Sequence, residues 1–403
     1  MTDTTLAGLP PSAPAAARLF YTLLRNLRVG HLQLISPLGD RQLFGDAHSA
    51  PGAELRLNDW RACARILSAG DIGFAEAYRA GWVDSPDLAA LLRLALQNED
   101  ALERALFGGR LSRLWFRIKH WLRPNTREGS ARNIHAHYDI GNDFYRLWLD
   151  ESWTYSSALF GGELSQSLAQ AQAAKYQRII DVLGLTPGQQ VLEIGCGWGG
   201  FALHAAQQGI HVHGVTISPA QLEIARMRVA AAQLGRQAFL ELRDYRDLAG
   251  EFDAVVSIEM FEAVGERFWP GYFEVLRRVL KPGGKALVQS ITIADDRFER
   301  YRSGSDFIQQ YIFPGGMLPS PARFAAVARQ GGLAVQDEYA FGPDYAETLR
   351  RWRSAFEAAR PAIQAQGFDD AFIRIWRLYL AYCEAGFDEG RTDVMQFLLA
   401  RGG

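Results

Sequence analysis

An apolar run that ends in glycines and turns into a helix carries the first chemistry in this chain. Val191-Leu192-Glu193-Ile194 leads into Gly195-Cys196-Gly197-Trp198-Gly199-Gly200. Glycines let the backbone turn tightly and approach a ligand without a Cβ in the way, while the helix that follows offers unpaired N–H groups to polar or anionic atoms. Gly195, Gly197 and Gly200 satisfy G-x-G-x-x-G, which alone points weakly to a dinucleotide. Two details point elsewhere. Glu193 stands inside the strand end, where it can receive an amine or a cation. The next strand, His211-Val212-His213-Gly214-Val215-Thr216, ends without the acidic residue that a dinucleotide ribose needs. S-adenosylmethionine, with its amino group and sulfonium, fits these residues better.

The elements that must hold this turn follow from periodicity. From Gln190 onward strands and helices alternate: strand 190–194, helix 198–208, strand 211–216, helix 219–234, strands 238–242 and 252–258, helix 270–279 and strand 284–291. Regular alternation implies a parallel sheet covered by helices on both faces, an α/β architecture. Asp393 to Arg401 is placed as a last, antiparallel strand. The polar, aromatic stretch from Asp295 to Pro321 is too long for an ordinary connection and reads as a lid or substrate wall. Ahead of this lie an amphipathic basic helix over 15–28, short antiparallel strands at 31–35, 41–44 and 54–57, and helices starting at Trp60 and Leu88. The expected division is therefore an α+β domain with a basic linker over 1–124, then a cofactor domain over 125–403 with a substrate-covering insertion near 293–330.

With 403 residues, 48% of them hydrophobic, the chain can bury a large core and is not expected to be disordered. A net charge of −2 gives no global attraction to nucleic acid, and none is expected as a partner. Three scattered cysteines, Cys63, Cys196 and Cys383, fit a reducing compartment. No leader-like segment or bilayer-spanning run is visible, so the cytoplasm is the expected location.

Four further segments complete a set: His137-Tyr138-Asp139-Ile140-Gly141-Asn142-Asp143-Phe144-Tyr145, Gly214-Val215-Thr216-Ile217-Ser218-Pro219-Ala220-Gln221, Met260-Phe261-Glu262-Ala263-Val264-Gly265 and Tyr311-Ile312-Phe313-Pro314-Gly315-Gly316. With the glycine turn and Tyr379-Leu380-Ala381-Tyr382-Cys383-Glu384-Ala385-Gly386-Phe387, they closely resemble the cyclopropane-fatty-acyl-phospholipid synthase family of S-adenosylmethionine-dependent methyltransferases. The resemblance runs from roughly residue 30 to the C-terminus. It implies a class I, Rossmann-like, seven-stranded methyltransferase domain beside a smaller N-terminal lipid-engaging domain. It also implies transfer of a methyl carbon to the cis double bond of an unsaturated phospholipid acyl chain, forming a cyclopropane at an anionic membrane surface. A homodimer is left open.

By the same resemblance, Gly195 and Gly197 cradle the methionine part of the cofactor, Thr216 and Gln221 reach the ribose, and Asp244 and Tyr245 border the adenine. Tyr138, Tyr155 and Ser156 cover the methionine tail and sulfonium. In the family a bound bicarbonate serves as the base, held by a cysteine, a glutamate, a histidine, an isoleucine backbone and a tyrosine. These positions correspond here to Ser157, Glu262, Gln289, Ile291 and Tyr345, so three match and two do not. Serine and glutamine can both donate hydrogen bonds to an anion, yet glutamine cannot titrate as histidine does. A base held differently favours loss of a different proton, giving a methyl-branched or methylene chain without a ring; a catalytically altered lipid-binding homologue is the remaining alternative.

Blander readings stand beside these. Thr216 and Gln221 suit a polar first helical turn, Glu262 a helix start, and Tyr345 ordinary packing. His135-x-His137 and His211-x-His213 lack a third ligand at sensible spacing, so no metal is expected. Cys196 pairs with no base and reads as a lining residue. The basic aromatic segment 104–127, with Trp115 and Trp121, suits either a solvated helix or a membrane-facing surface.

Overall fold

The structure, a computed structural model, describes residues 9–10, 13–102 and 140–401. Tyr138 and the basic segment 104–127 lie outside the described residues. The chain forms two compact units, one comprising Met1–Asn125, Ser303–Ile312 and Arg360–Glu389, the other Thr126–Arg302, Phe313–Ala359 and Gly390–Gly403. The sequence reading places everything after residue 124 in the second domain, and the two later stretches depart from that. Their apolar residues explain the departure: helix Asp370–Asp388 packs against helices Leu88–Gln97 and Arg61–Arg79, and Arg374 donates to the carbonyls of Tyr78 and Val83.

The first unit holds a small sheet in the order β2-β1-β3-β4, formed by His31–Ile35 (β1), Arg41–Gly45 (β2), Gly52–Leu57 (β3) and Val83–Asp84 (β4). β1 and β2 are antiparallel as expected, but β3 runs parallel to β1, with His31 opposite Gly52. The chain leaves β2 and crosses to the far side of β1 instead of folding back as a meander. Short alternating runs specify strands but not which edge each one joins.

The second unit is built on seven strands: Gln190–Ile194 (β5), His211–Thr216 (β6), Ala238–Leu242 (β7), Phe252–Ile258 (β8), Leu280–Ile293 (β9), Leu333–Ala340 (β10) and Thr392–Arg401 (β11). Their order is β10-β11-β9-β8-β5-β6-β7, parallel from β9 to β7, with β11 antiparallel to both neighbours. Val191, Leu192 and Ile194 are all buried, as in a strand covered on both faces. One face packs Trp269, Phe273, Phe324 and Phe397 together, the last two rings stacked 4.0 Å apart. The other packs Ile179, Phe201, Leu222 and Ala225. Helix Leu168–Leu183 opens on a capping box of Ser167 and Gln170 and stops at left-handed Gly184. The order reverses at β5, so a crevice opens beyond the carboxyl ends of β5 and β8. Among the described residues no helix is long and apolar enough to cross a membrane.

Candidate active site

The cofactor-type residues gather at that crevice. Gly195 and Gly197 take φ of 83° and 51°, conformations that favour glycine, and the Gly195 N–H donates to Val215 of the next strand. Glu193 is buried at the end of β5, and its Oε2 is shielded from solvent with no partner. Burial pushes this carboxyl up to about 8. A buried acid with an unsatisfied oxygen beside a glycine turn suits the ammonium of a methionine-type ligand, so the residues present fit S-adenosylmethionine. At the end of β6, Thr216 Oγ1 accepts the Ser218 N–H at 3.1 Å, and Ser218 caps the helix in whose first turn Gln221 is buried. At the end of β7, Asp244 grips the Arg246 guanidinium at 2.9 and 2.5 Å, and Tyr245 packs edge-on against Tyr272. Burial pushes the Cys196 thiol well above its usual range, in keeping with a lining residue. His213 Nε2 lies 2.7 Å from Glu241, and no cluster of three metal-binding side chains occurs among the described residues.

Three of the five residues expected to hold an anion, Ser157, Gln289 and Tyr345, converge on a carboxylate that the chain itself supplies. Glu259, just past β8, accepts from the Ser157 N–H and from Gln289 Nε2 at Oε1, each at 2.8 Å, and from the Tyr345 hydroxyl at Oε2 at 2.7 Å. Ser157 contributes its backbone, because its hydroxyl donates to the Ala158 carbonyl. Glu262 and Ile291 pair with each other, the Ile291 N–H reaching Glu262 Oε1 at 2.5 Å. Burial, and then the nearby charge of Glu259, push Glu262 up to about 8.

Glu259 is absent from the site residues read from the sequence. It takes φ of 48°, a left-handed conformation uncommon for a non-glycine residue and found disproportionately where function over-determines the backbone. The available signal was its place: the first charged residue after a buried parallel strand, three positions before Glu262. Burial raises its pKa, opposed first by Lys175 and then by its three donors.

Lys175 is the second residue the sequence reading missed. Fully buried, it donates to Ser156 Oγ at 2.6 Å and Gln172 Oε1 at 2.7 Å, while Gln172 donates to the Ser156 carbonyl. One helical turn thus clamps the loop that presents Ser156 and the Ser157 N–H. Burial pushes the amine down to about 7 against the pull of Glu259, Asp150 and Glu193. Asp344 holds the same loop from the other side, accepting from the N–H groups of Phe160 and Gly161. Tyr155 lies within an aromatic wall, 5.4 Å from Tyr145, 5.7 Å from Trp148 and 5.3 Å from Trp352 between centroids.

Comparison with known proteins finds relatives along most of the chain. A family model described as mycolic acid cyclopropane synthetase matches residues 125–397. Tuberculostearic acid methyltransferase UfaA1 of Mycobacterium tuberculosis is 41% identical, the match covering 98% of this chain and 93% of that one. Cyclopropane-fatty-acyl-phospholipid synthase of Escherichia coli is 35% identical over 88% of this chain and 89% of its own. The crystal structure of mycolic acid cyclopropane synthase CmaA1 complexed with SAH and CTAB superposes with a TM-score of 0.62 at 32% identity, covering 69% of this chain and 99% of that one.

Proposed function

The chain belongs to the mycolic acid cyclopropane synthetase family of S-adenosylmethionine-dependent methyltransferases acting on lipid acyl chains, and we propose that it methylates the double bond of an unsaturated phospholipid acyl chain with Glu259 as the base, yielding a methylene-bearing chain. The observation that carries this reading is the Glu259 carboxylate, held by Ser157, Gln289 and Tyr345 where a bicarbonate was expected. The identity to a relative named a methyltransferase, across 93% of its length, supports it.

When bound, S-adenosylmethionine supplies the methyl group to the alkene, and a cation remains on the neighbouring acyl carbon. Tyr155, backed by the buried rings of Tyr145, Trp148 and Trp352, excludes water and favours positive charge. Loss of a methyl proton with the cation still on that neighbour closes a ring. If a hydride first shifts from the methylated carbon to the cationic one, the same loss leaves an exocyclic methylene. Either product has gained one CH2, and the proton passes to Glu259. A bicarbonate is a bound ion without a covalent tether, whereas Glu259 is fixed both by three hydrogen bonds and by its own backbone. That restraint delays proton removal and favours the shift.

Glu193 binds the ligand ammonium, Thr216 and Gln221 line the ribose side, and Asp244 and Tyr245 border the base. Lys175 and Gln172 hold the loop bearing Tyr155, Ser156 and Ser157. We place the reaction at a membrane surface, with the enzyme peripherally associated.

The test is incubation of purified protein with S-adenosylmethionine and vesicles of mono-unsaturated phospholipid, followed by mass spectrometry and proton NMR of the lipid. A gain of one CH2 with vinylidene protons supports the proposal; ring protons favour the cyclopropane reading, to which the 35% identity to the Escherichia coli synthase lends weight. A Glu259→Gln variant that turns over like the unaltered enzyme overturns the assignment of the base.

A further inference from the structure

Two glutamines face each other in the middle of the large sheet. Gln289 on β9 stands directly opposite Gln396 on β11, and both are buried. Apolar side chains would suit this position better, since each buried amide must find partners for an oxygen and two N–H groups. The partners form one continuous line. Arg178 donates to Gln396 Oε1 at 2.5 Å, Gln396 Nε2 donates to Gln289 Oε1 at 3.0 Å, and Gln289 Nε2 donates to Glu259 Oε1 at 2.8 Å.

The line has a direction, and Arg178 sets it. A guanidinium can only donate, so it selects the oxygen of Gln396; the Gln396 amine then selects the oxygen of Gln289; the Gln289 amine is left for Glu259. Arg178 in turn lies over the Tyr339 ring, its Cζ 3.8 Å from the centroid. Without that anchor, either amide is free to turn and present its oxygen to the carboxylate, which disfavours the ionised form.

We propose that Arg178 and Gln396 are positioning residues for the base: they fix the orientation of Gln289 so that it donates to Glu259 and keeps it a carboxylate. The inference rests on the reading of Glu259 as the base. The other titratable groups that Glu259 meets are Lys175, Glu262 and Tyr345, and Arg178 is accompanied by Asp337 and Tyr339.

The test is the pH dependence of kcat at saturating S-adenosylmethionine and lipid for Arg178→Met, Arg178→Lys and Gln396→Leu, with cofactor affinity measured by calorimetry. Arg178→Met and Gln396→Leu are expected to move the acid limb to higher pH and lower kcat on that limb about tenfold, the worth of one hydrogen bond to a charged group. Cofactor affinity stays unchanged, and Arg178→Lys, still a pure donor, restores the profile. An acid limb that stays in place in a folded variant overturns the proposal. If Gln396→Leu fails to fold, Arg178→Met decides, because Arg178 is only partly buried. Glu259→Gln separates the two claims: turnover that survives it removes the base, whereas turnover lost there with unmoved acid limbs in the other variants removes only the relay.

Discussion

The Tyr345 hydroxyl donates to Glu259 Oε2 at 2.7 Å, joining the start of one helix to the end of a strand 86 residues earlier. The tyrosine is one of three donors that, with the charge of Lys175, favour the ionised carboxylate, since a buried glutamate without donors stays protonated and cannot accept a proton.

Tyr345→Phe removes one donor and little volume. The expected outcome is a fall in kcat of about ten- to a hundredfold at neutral pH, from a hydrogen bond to a charged group worth about 1.5–3 kcal/mol, with cofactor affinity unchanged. Steady-state kinetics with calorimetry checks it, and a change confined to KM would count against the assignment.

Glu259→Gly removes the base and the left-handed strain together. At φ of 48° a glycine relieves about 1 kcal/mol, which offsets only part of the cost of leaving three donors unpaired, so the melting temperature is expected to fall modestly while turnover disappears. The donors Ser157, Gln289 and Tyr345 then surround a vacated anion site. Added bicarbonate is expected to restore part of the turnover and to raise the share of ring product in proton NMR. A variant that bicarbonate does not rescue would argue that these donors serve packing alone.

Much of the site is legible in sequence because its residues are local. The glycine turn, Glu193 and the Thr216–Gln221 segment each occupy a single strand end. Glu259 is not legible, because its partners Ser157, Gln289 and Tyr345 lie 102, 30 and 86 residues away and meet only when β8 is flanked by β9. Lys175 hides for a similar reason: on its helix it looks like a solvated cation, and only burial against Ser156 gives it a role. β10 escapes because Gln336-Asp337-Glu338 interrupts its apolar pattern, as charged residues do on edge strands, and the fold shows it at the sheet's edge.

In the first unit, Asn98 satisfies an otherwise bare turn. Its Oδ1 accepts from the N–H groups of Arg28 and Val29, and its Nδ2 donates to the carbonyls of Val29 and Leu94. Asn98→Ala removes those four bonds, of which only the one to Leu94 is fully buried, and is expected to cost about 1–3 kcal/mol. Urea unfolding measures it; a loss below about 0.5 kcal/mol would mean that water takes over the amide's role.

Glu193 links cofactor binding to pH. Burial raises its pKa to about 8, so in the ligand-free protein it is largely protonated at neutral pH. The folded form then holds a proton that the unfolded chain, with a carboxyl near 4.5, has released. Between those two values the folded state binds more protons, and this group's contribution to stability falls as pH rises. A cationic ammonium reverses the preference, because it binds the ionised carboxylate. S-adenosylmethionine affinity is therefore expected to strengthen as pH is raised from about 6 toward 8, and binding to release a proton. Calorimetry in buffers of different ionisation enthalpy counts that proton. Glu193→Gln is expected to weaken binding at least tenfold, the scale of a buried charge-assisted hydrogen bond, and to abolish the proton release. Proton release that persists in Glu193→Gln would assign the linkage to another group, with Lys175, pushed down to about 7, the nearest alternative.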